Sequence, residues 1–226
     1  MLSELDRTGY HICAPLYRSN ELAAIEQAIH TAGIERAFGV RQFLSWVPGA
    51  IPTLFNDQLR ALLRELLPGG ARVVRSLYFD KPPSANWNVN WHQDLTIDVT
   101  HREDRPGFRN WRRVGDRTTV NPPADLLRQM VTVRIHLDEC RAANGALRVV
   151  PGSHRRGIIE MKSCRPEEEK ITICEVAAGG VLLLKPLTVH ASRRTGATGN
   201  RRVIHLECHA GGLPGGLTWL ESLAIG

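Results

Sequence analysis

The sequence predicts an α+β fold that is mainly β, with helices packed on one face of an antiparallel sandwich or barrel. Three observations carry this. Helical apolar spacing is confined to the first 70 residues. Short β-rich runs follow, to about residue 209, and glycine- and proline-bearing turns separate them.

Taken in order, Tyr10 to Leu16 is a short apolar stretch that suits a first strand. Ser19 or Asn20 offers an N-cap, and Leu22, Ile25 and Ile29 follow at helical spacing, so 20–32 reads as an amphipathic helix. Pro48 and Pro52 punctuate a loop. Asn56 or Asp57 caps a second helix carrying Leu59, Leu62, Leu63, Leu66 and Leu67, and Pro68-Gly69-Gly70 stops it. Arg72–Asp80 is β-rich and is broken by Lys81-Pro82-Pro83. Asn90–Val99, Val131–Asp138, Ala146–Val150, Ile171–Val176, Val181–Lys185 and Arg201–His209 read as further strands. Residues 100–125 form a long polar connection, which suggests either a functional lid or a disordered insert.

Alternation adds detail. In Val131–Asp138, Thr132, Arg134 and His136 share one face and Val133, Ile135 and Leu137 the other. In Arg201–His209, Arg202, Ile204, Leu206 and Cys208 oppose Arg201, Val203, His205, Glu207 and His209. Such polar faces meet either bulk water or a wet pocket inside a jelly roll.

The 226 residues suit one domain, expected over 1–226, and are enough to bury a sizeable core. No apolar run reaches about 18 residues, so no membrane span is expected. Met1–Arg7 lacks the basic-then-apolar pattern of a secretory signal. Five scattered cysteines without a CxxC pair fit a reducing cytoplasm. The net charge of +6 comes partly from Arg102, Arg105, Arg109, Arg112, Arg113 and Arg117, with no nucleic-acid motif beside them. A solvated surface or an anionic small substrate explains them better than nucleic acid does. No GxSxG elbow, P-loop or GxGxxG is present. Oligomeric state is not legible in the sequence.

The chemistry centres on Trp91-His92-Gln93-Asp94. Residues i and i+2 of a strand share a face, so His92 and Asp94 can converge on one metal ion. A distant histidine would complete a 2-His-1-carboxylate triad with open coordination positions. An HxD triplet alone is a weak signal, but further segments accompany it. They are the strand ending Leu137-Asp138, the run Asn144-Gly145-Ala146-Leu147-Arg148-Val149-Val150-Pro151-Gly152-Ser153-His154, and His190-Ala191-Ser192 followed by Arg201. Together they resemble the phytanoyl-CoA dioxygenase family of Fe(II)- and 2-oxoglutarate-dependent oxygenases, from about Tyr10 to His209.

The resemblance implies a double-stranded β-helix, a jelly-roll barrel with helices on one sheet. It implies His92, Asp94 and His190 as iron ligands and catalytic centre. It implies a dioxygenase that couples decarboxylation of 2-oxoglutarate to succinate with dioxygen-dependent hydroxylation of a small-molecule C–H bond. Arg201 takes the position of the arginine that pairs with the 5-carboxylate of 2-oxoglutarate, through a guanidinium fork. Arg202 is the alternative, and Ser192 matches a hydroxyl that helps hold the same carboxylate. Trp111 either folds over the cosubstrate or anchors its loop. Arg75, Asn88 and Arg134 are weaker candidates for contacts with cosubstrate or substrate. His136 and His205 either line the pocket or lie satisfied in the core, His154 stabilises its turn, and Glu207 and His209 face solvent. Halogenating relatives have a small residue where Asp94 stands, which favours hydroxylation here. The alternative reading is a non-catalytic jelly roll that binds a metal or a carboxylate.

Overall fold

The computed structural model describes all residues except 36, 82–86, 163, 167–169 and 195–199. In chain order its elements are α1 (Leu2–Thr8), β1 (Tyr10–Cys13), α2 (Ser19–Thr31), β2 (Gly39–Arg41), α3 (Phe43–Trp46), α4 (Ile51–Leu54) and α5 (Asp57–Leu66). There follow β3 (Ala71–Asp80), β4 (Val89–His92), β5 (Ile97–Val99), β6 (Arg109–Val114), β7 (Arg117–Asn121), α6 (Ala124–Arg128) and β8 (Val131–His136). The last are β9 (Leu147–Val149), β10 (Thr172–Cys174), β11 (Val181–Leu184), β12 (His190–Ser192), β13 (Arg202–His209) and β14 (Leu223–Ile225). The expected strand break at Pro82-Pro83 lies outside the described residues.

One antiparallel sheet runs β1-β11-β8-β13-β3-β14, with β2 also on β3; a second runs β10-β9-β12-β4. This is the expected double-stranded β-helix. The helices cover the outer face of the larger sheet. Leu59, Leu62 and Leu63 of α5 and Ile25 and Ile29 of α2 pack with Val131, Val133, Ile135, Ile204 and Leu206 in one core. Each such aliphatic side chain contributes roughly 1.5–3 kcal/mol on burial. Asn56 caps α5, its side chain accepting from Leu59 N at 2.9 Å. α2 starts differently from expectation: Arg18 is the N-cap, and Glu21 reaches back to its backbone N–H at 2.8 Å.

β11 shows why alternation fails in one place. Val181 and Leu183 face the helix-covered core, while Leu182 and Leu184 pack with Leu147, Val149, Cys174 and Val176 inside the barrel. A strand buried on both faces has no polar side to alternate.

Residues 100–125 are an ordered substructure rather than a disordered insert. β6 and β7 pair as a hairpin, β5 adds to β7, and α6 starts at its end. Phe108 and Val120 anchor this small sheet on Ile97, Val99, Leu127, Met130 and Trp219. Most of its arginines are surface groups: Arg102 pairs with Asp104 and Arg105 with Glu103, and Arg109, Arg112 and Arg113 are exposed, while Arg117 turns inward to Asp98 at 3.0 Å.

Glu207 and His209, expected in solvent, are buried at 5% and 6% exposure. Their face of β13 points into the barrel. Glu207 accepts from Arg75 at 2.9 Å, and the His209 ring sits 5.4 Å from that of Trp219, which covers this end.

Candidate metal centre

The two histidines meet because β12 and β4 are antiparallel neighbours and His190 and His92 are register partners. Asp94 arrives by another route than strand alternation. β4 ends at His92, and Gln93–Thr96 lie outside any strand. The loop is fixed by the buried Gln93, whose Nε2 donates to the Gly157 and Leu187 carbonyls at 2.8 and 2.6 Å. Its Oε1 accepts from Ile159 N at 2.8 Å, and Asp94 N donates to Pro186 O at 2.9 Å.

Backbone carbonyls set both ring tautomers. Nδ1 of His92 lies 2.8 Å from Asn90 O, and Nδ1 of His190 lies 2.8 Å from Thr188 O. A carbonyl only accepts, so each Nδ1 carries the proton and each Nε2 presents a lone pair. Those Nε2 atoms stand 3.7 Å from Oδ1 and Oδ2 of Asp94, too far for hydrogen bonds. All three ligand atoms lie within 4.8 Å of one another, and Asp94 Oδ2 is buried without a partner. Burial opposes ionisation of Asp94, but His190, His205, His92 and Arg134 outweigh it and hold its carboxyl below the usual range. Burial pushes His190 down to about 4, so it stays neutral at pH 7. Two lone pairs and one carboxylate, with no proton between them, fit a divalent cation, and the mixed N/O set suits Fe(II).

The run Asn144 to His154 frames this centre. Gly145 adopts φ 88°, which a side chain disfavours, and its carbonyl accepts from Arg201 Nη1. Val149 pairs with His190 in register. Ser153 Oγ donates to Val150 O at 2.7 Å and accepts from Val189 N at 2.9 Å, just ahead of His190. His154 holds its turn to α1 through Asp6 O at 3.1 Å. Its ring leaves no room at Gly9, where a Cβ would lie 2.5 Å from Nδ1.

A cavity opens beside the three ligands, walled by both sheets. Ser192, Arg201, Arg134 and His205 line it with Phe79, Lys81, Trp87, Val89, Leu147 and Val203. Arg201 is 6% exposed, and its Nε and Nη2 are buried without a hydrogen-bond partner. Arg202 points to the other face, where Asp138 accepts from Nε at 2.8 Å and Nη2 at 2.6 Å, with Glu26 at 3.0 Å. Those hydrogen bonds, above all, raise its pKa. His136 is buried near the cavity but is not a wall residue; burial and then Arg134 and Arg201 push it down to about 3.

Three candidates lie elsewhere. Arg75 is held by Asp98 at 2.9 Å and Glu207 at 2.9 Å, and Arg117 completes the cluster 3.0 Å from Asp98. Trp111 stacks 6.3 Å from Phe108 under the hairpin, as an anchor. Asn88 is exposed and bonds Asn90. Sequence reasoning missed Lys81, although it shares a strand face with Phe79 and Arg75.

A model of the family described as phytanoyl-CoA dioxygenase (PhyH) matches residues 49–203. No curated protein matches the chain in sequence. Among solved structures, AviO1 from Streptomyces viridochromogenes Tue57 has 17% identity over 92% of each chain, with a TM-score of 0.66. EctD from S. alaskensis, crystallised with 2-oxoglutarate and 5-hydroxyectoine, has 18% identity over 92% of this chain and 74% of that one, TM-score 0.69. The non-heme α-ketoglutarate-dependent carbocyclase SnoK from nogalamycin biosynthesis has 17% identity over 92% and 82%, TM-score 0.66. At these identities the likeness is one of fold. The family match spans the HxD loop, the framing run, the distal histidine and the cavity arginine, and the chain therefore belongs to the phytanoyl-CoA dioxygenase family of iron- and 2-oxoglutarate-dependent oxygenases.

Proposed function

We propose that the protein is an Fe(II)- and 2-oxoglutarate-dependent dioxygenase that hydroxylates a C–H bond of a small molecule. The observation that carries this is the His92, Asp94 and His190 cluster, whose ligand atoms lie within 4.8 Å of one another on the wall of a cavity. Iron(II) held there supplies the oxidation chemistry, in which dioxygen oxidises 2-oxoglutarate to succinate and CO2 and hydroxylates the substrate.

The chain's own contributions are distinct. His92, Asp94 and His190 hold the ion, and their carbonyl and loop partners fix them in advance of binding. Arg201 and Ser192 orient the far carboxylate of 2-oxoglutarate, the arginine using the Nε and Nη2 that are otherwise unsatisfied. Phe79, Trp87, Val89, Leu147 and Val203 exclude water from the reacting carbon. A carboxylate at Asp94 fills the coordination position that halogenation would need. Among the described residues, no helix is long and apolar enough to cross a membrane. All five cysteines are free, which fits the reducing cytoplasm as the compartment.

The test is anaerobic addition of Fe(II) and 2-oxoglutarate. A visible charge-transfer band, lost in His92→Ala and Asp94→Ala, is expected. No band with the intact protein would reject the oxygenase reading in favour of a non-catalytic binding jelly roll.

A further inference from the structure

A cluster of charges beside the metal loop takes no part in holding the ion or the cosubstrate. Arg75 on β3 and Glu207 on β13 are register partners. Asp98 lies on β5 and Arg117 on β7, both in the small sheet. Arg75, Asp98 and Glu207 are buried. Arg75 joins the two sheets: Nε donates to Asp98 Oδ2 and Nη1 to Glu207 Oε1, each at 2.9 Å. Burial opposes its charge, but Glu207 and then Asp98 outweigh that and raise its pKa. Apolar side chains of similar volume can often replace a buried ion cluster without loss, so stability alone is a weak reason for one.

The cluster's remaining contacts lead to the metal centre. Arg75 Nη1 also donates to Thr96 O at 2.9 Å. Thr96 ends the stretch Gln93–Thr96 that carries Asp94, so Gln93 pins this loop on one flank and Arg75 on the other. Arg75 is itself fixed from both sides. Asp98 accepts from Arg117 Nη1 at 3.0 Å through its other oxygen. Glu207 Oε1 lies 3.6 Å from Nε2 of His205, on the cavity wall. His205 Nδ1 accepts from Arg134 Nη1 at 2.9 Å, and an arginine only donates, so the ring proton is on Nε2 and faces Glu207.

We propose that Arg75 is a positioning residue of the iron site: through Thr96 O it holds the Asp94 carboxylate in place opposite His92 and His190, and Asp98 and Glu207 keep its guanidinium aimed at that carbonyl. This rests on the oxygenase reading.

The test is anaerobic titration with Co(II), followed by its visible d–d bands, on the wild type, Arg75→Met, Arg75→Lys and Leu63→Ala. Leu63 packs in the helix-covered core, so its truncation destabilises the fold without touching the metal loop. Both Arg75 variants should bind Co(II) about tenfold or more weakly, with altered band intensity, whereas Leu63→Ala should stay within about twofold. Arg75→Lys keeps the charge balance and loses the planar fork, so it separates positioning from neutralisation. The isosteric Asp98→Asn, expected to weaken Co(II) binding by about threefold or more, decides the matter should neither Arg75 variant fold. Wild-type affinity and bands in the variants that fold overturn the proposal. So does full recovery in Arg75→Lys, which would make the charge alone sufficient. An equal loss in Leu63→Ala also overturns it, by reducing the effect to stability. Failure of the wild type to bind Co(II) would remove the oxygenase reading and this inference together. A tight wild-type site with unchanged variants removes this inference alone.

Discussion

His92 and His190 are direct register partners across an antiparallel strand pair, and their ring centroids are 4.1 Å apart. Main-chain pairing brings them together, so the rings meet whether or not a metal is bound. His190→Ala should therefore leave the β12–β4 pairing in place and cost about 1–2 kcal/mol, for the lost hydrogen bond to Thr188. Its affinity for Co(II) or Fe(II) should fall by at least about 100-fold, beyond the 10- to 100-fold typical of losing a supporting partner. Metal titration beside urea denaturation separates the two effects. Retained affinity within tenfold would remove His190 from the ligand set.

That pair also shows what a sequence can and cannot disclose. The residue types of the centre were legible, because a 2-His-1-carboxylate set needs particular side chains. Their convergence was not, since it depends on register and on a loop. Asp94 reaches the centre beyond the end of β4, held by Gln93, whose role no periodicity signals. α5 was legible through its leucine spacing and Asn56 cap, which are local properties. α1, β2 and β14 were not, being short elements that tertiary contacts alone stabilise. Glu207 looked like a solvent residue, because alternation says which residues share a face and not what that face meets. Lys81 was read as part of a strand break, and its burial follows from the barrel closing over it.

Gln93 gives the second expectation. Its amide makes three hydrogen bonds, two buried and donated and one partly buried and accepted, that tie the Asp94 loop to Gly157, Leu187 and Ile159. At about 1 kcal/mol each, with a further penalty for stranded backbone groups, Gln93→Ala should destabilise the fold by ~2–4 kcal/mol. The freed loop should also lower metal affinity about tenfold, although Gln93 touches no ligand atom. Unchanged metal affinity in a destabilised Gln93→Ala would mean that Asp94 is held by Pro186 alone.

Arg201 and Arg202 are adjacent and face opposite ways, which makes a matched pair of substitutions informative. Arg201→Lys keeps the charge but loses the planar fork, so 2-oxoglutarate affinity should fall at least tenfold with little change in stability. Arg202→Lys should do the reverse. It weakens a half-buried pairing with Asp138 and Glu26, at about 1 kcal/mol of stability, and leaves 2-oxoglutarate binding within about twofold. Calorimetry of the anaerobic iron complexes measures the first effect and chemical denaturation the second. Interchanged outcomes would move the carboxylate clamp to Arg202.

Lys81 makes the stability of the ligand-free protein depend on pH. Burial, then Arg201 and Arg134, push its ammonium down to about 7. The unfolded chain keeps this proton up to a pKa of about 10.4. Between about 7 and 10 the unfolded state therefore binds more protons, and stability must rise with pH across that window. Below about 7 both states are protonated and the penalty for burying the charge is constant. In chelator and without 2-oxoglutarate, the wild type should gain on Lys81→Met by at least about 1 kcal/mol between pH 7 and 9.5, after allowing for solvent at the cavity mouth. Urea denaturation of both proteins at matched pH values measures the difference, which cancels other groups titrating there. A flat difference would show that Lys81 keeps an ordinary ammonium.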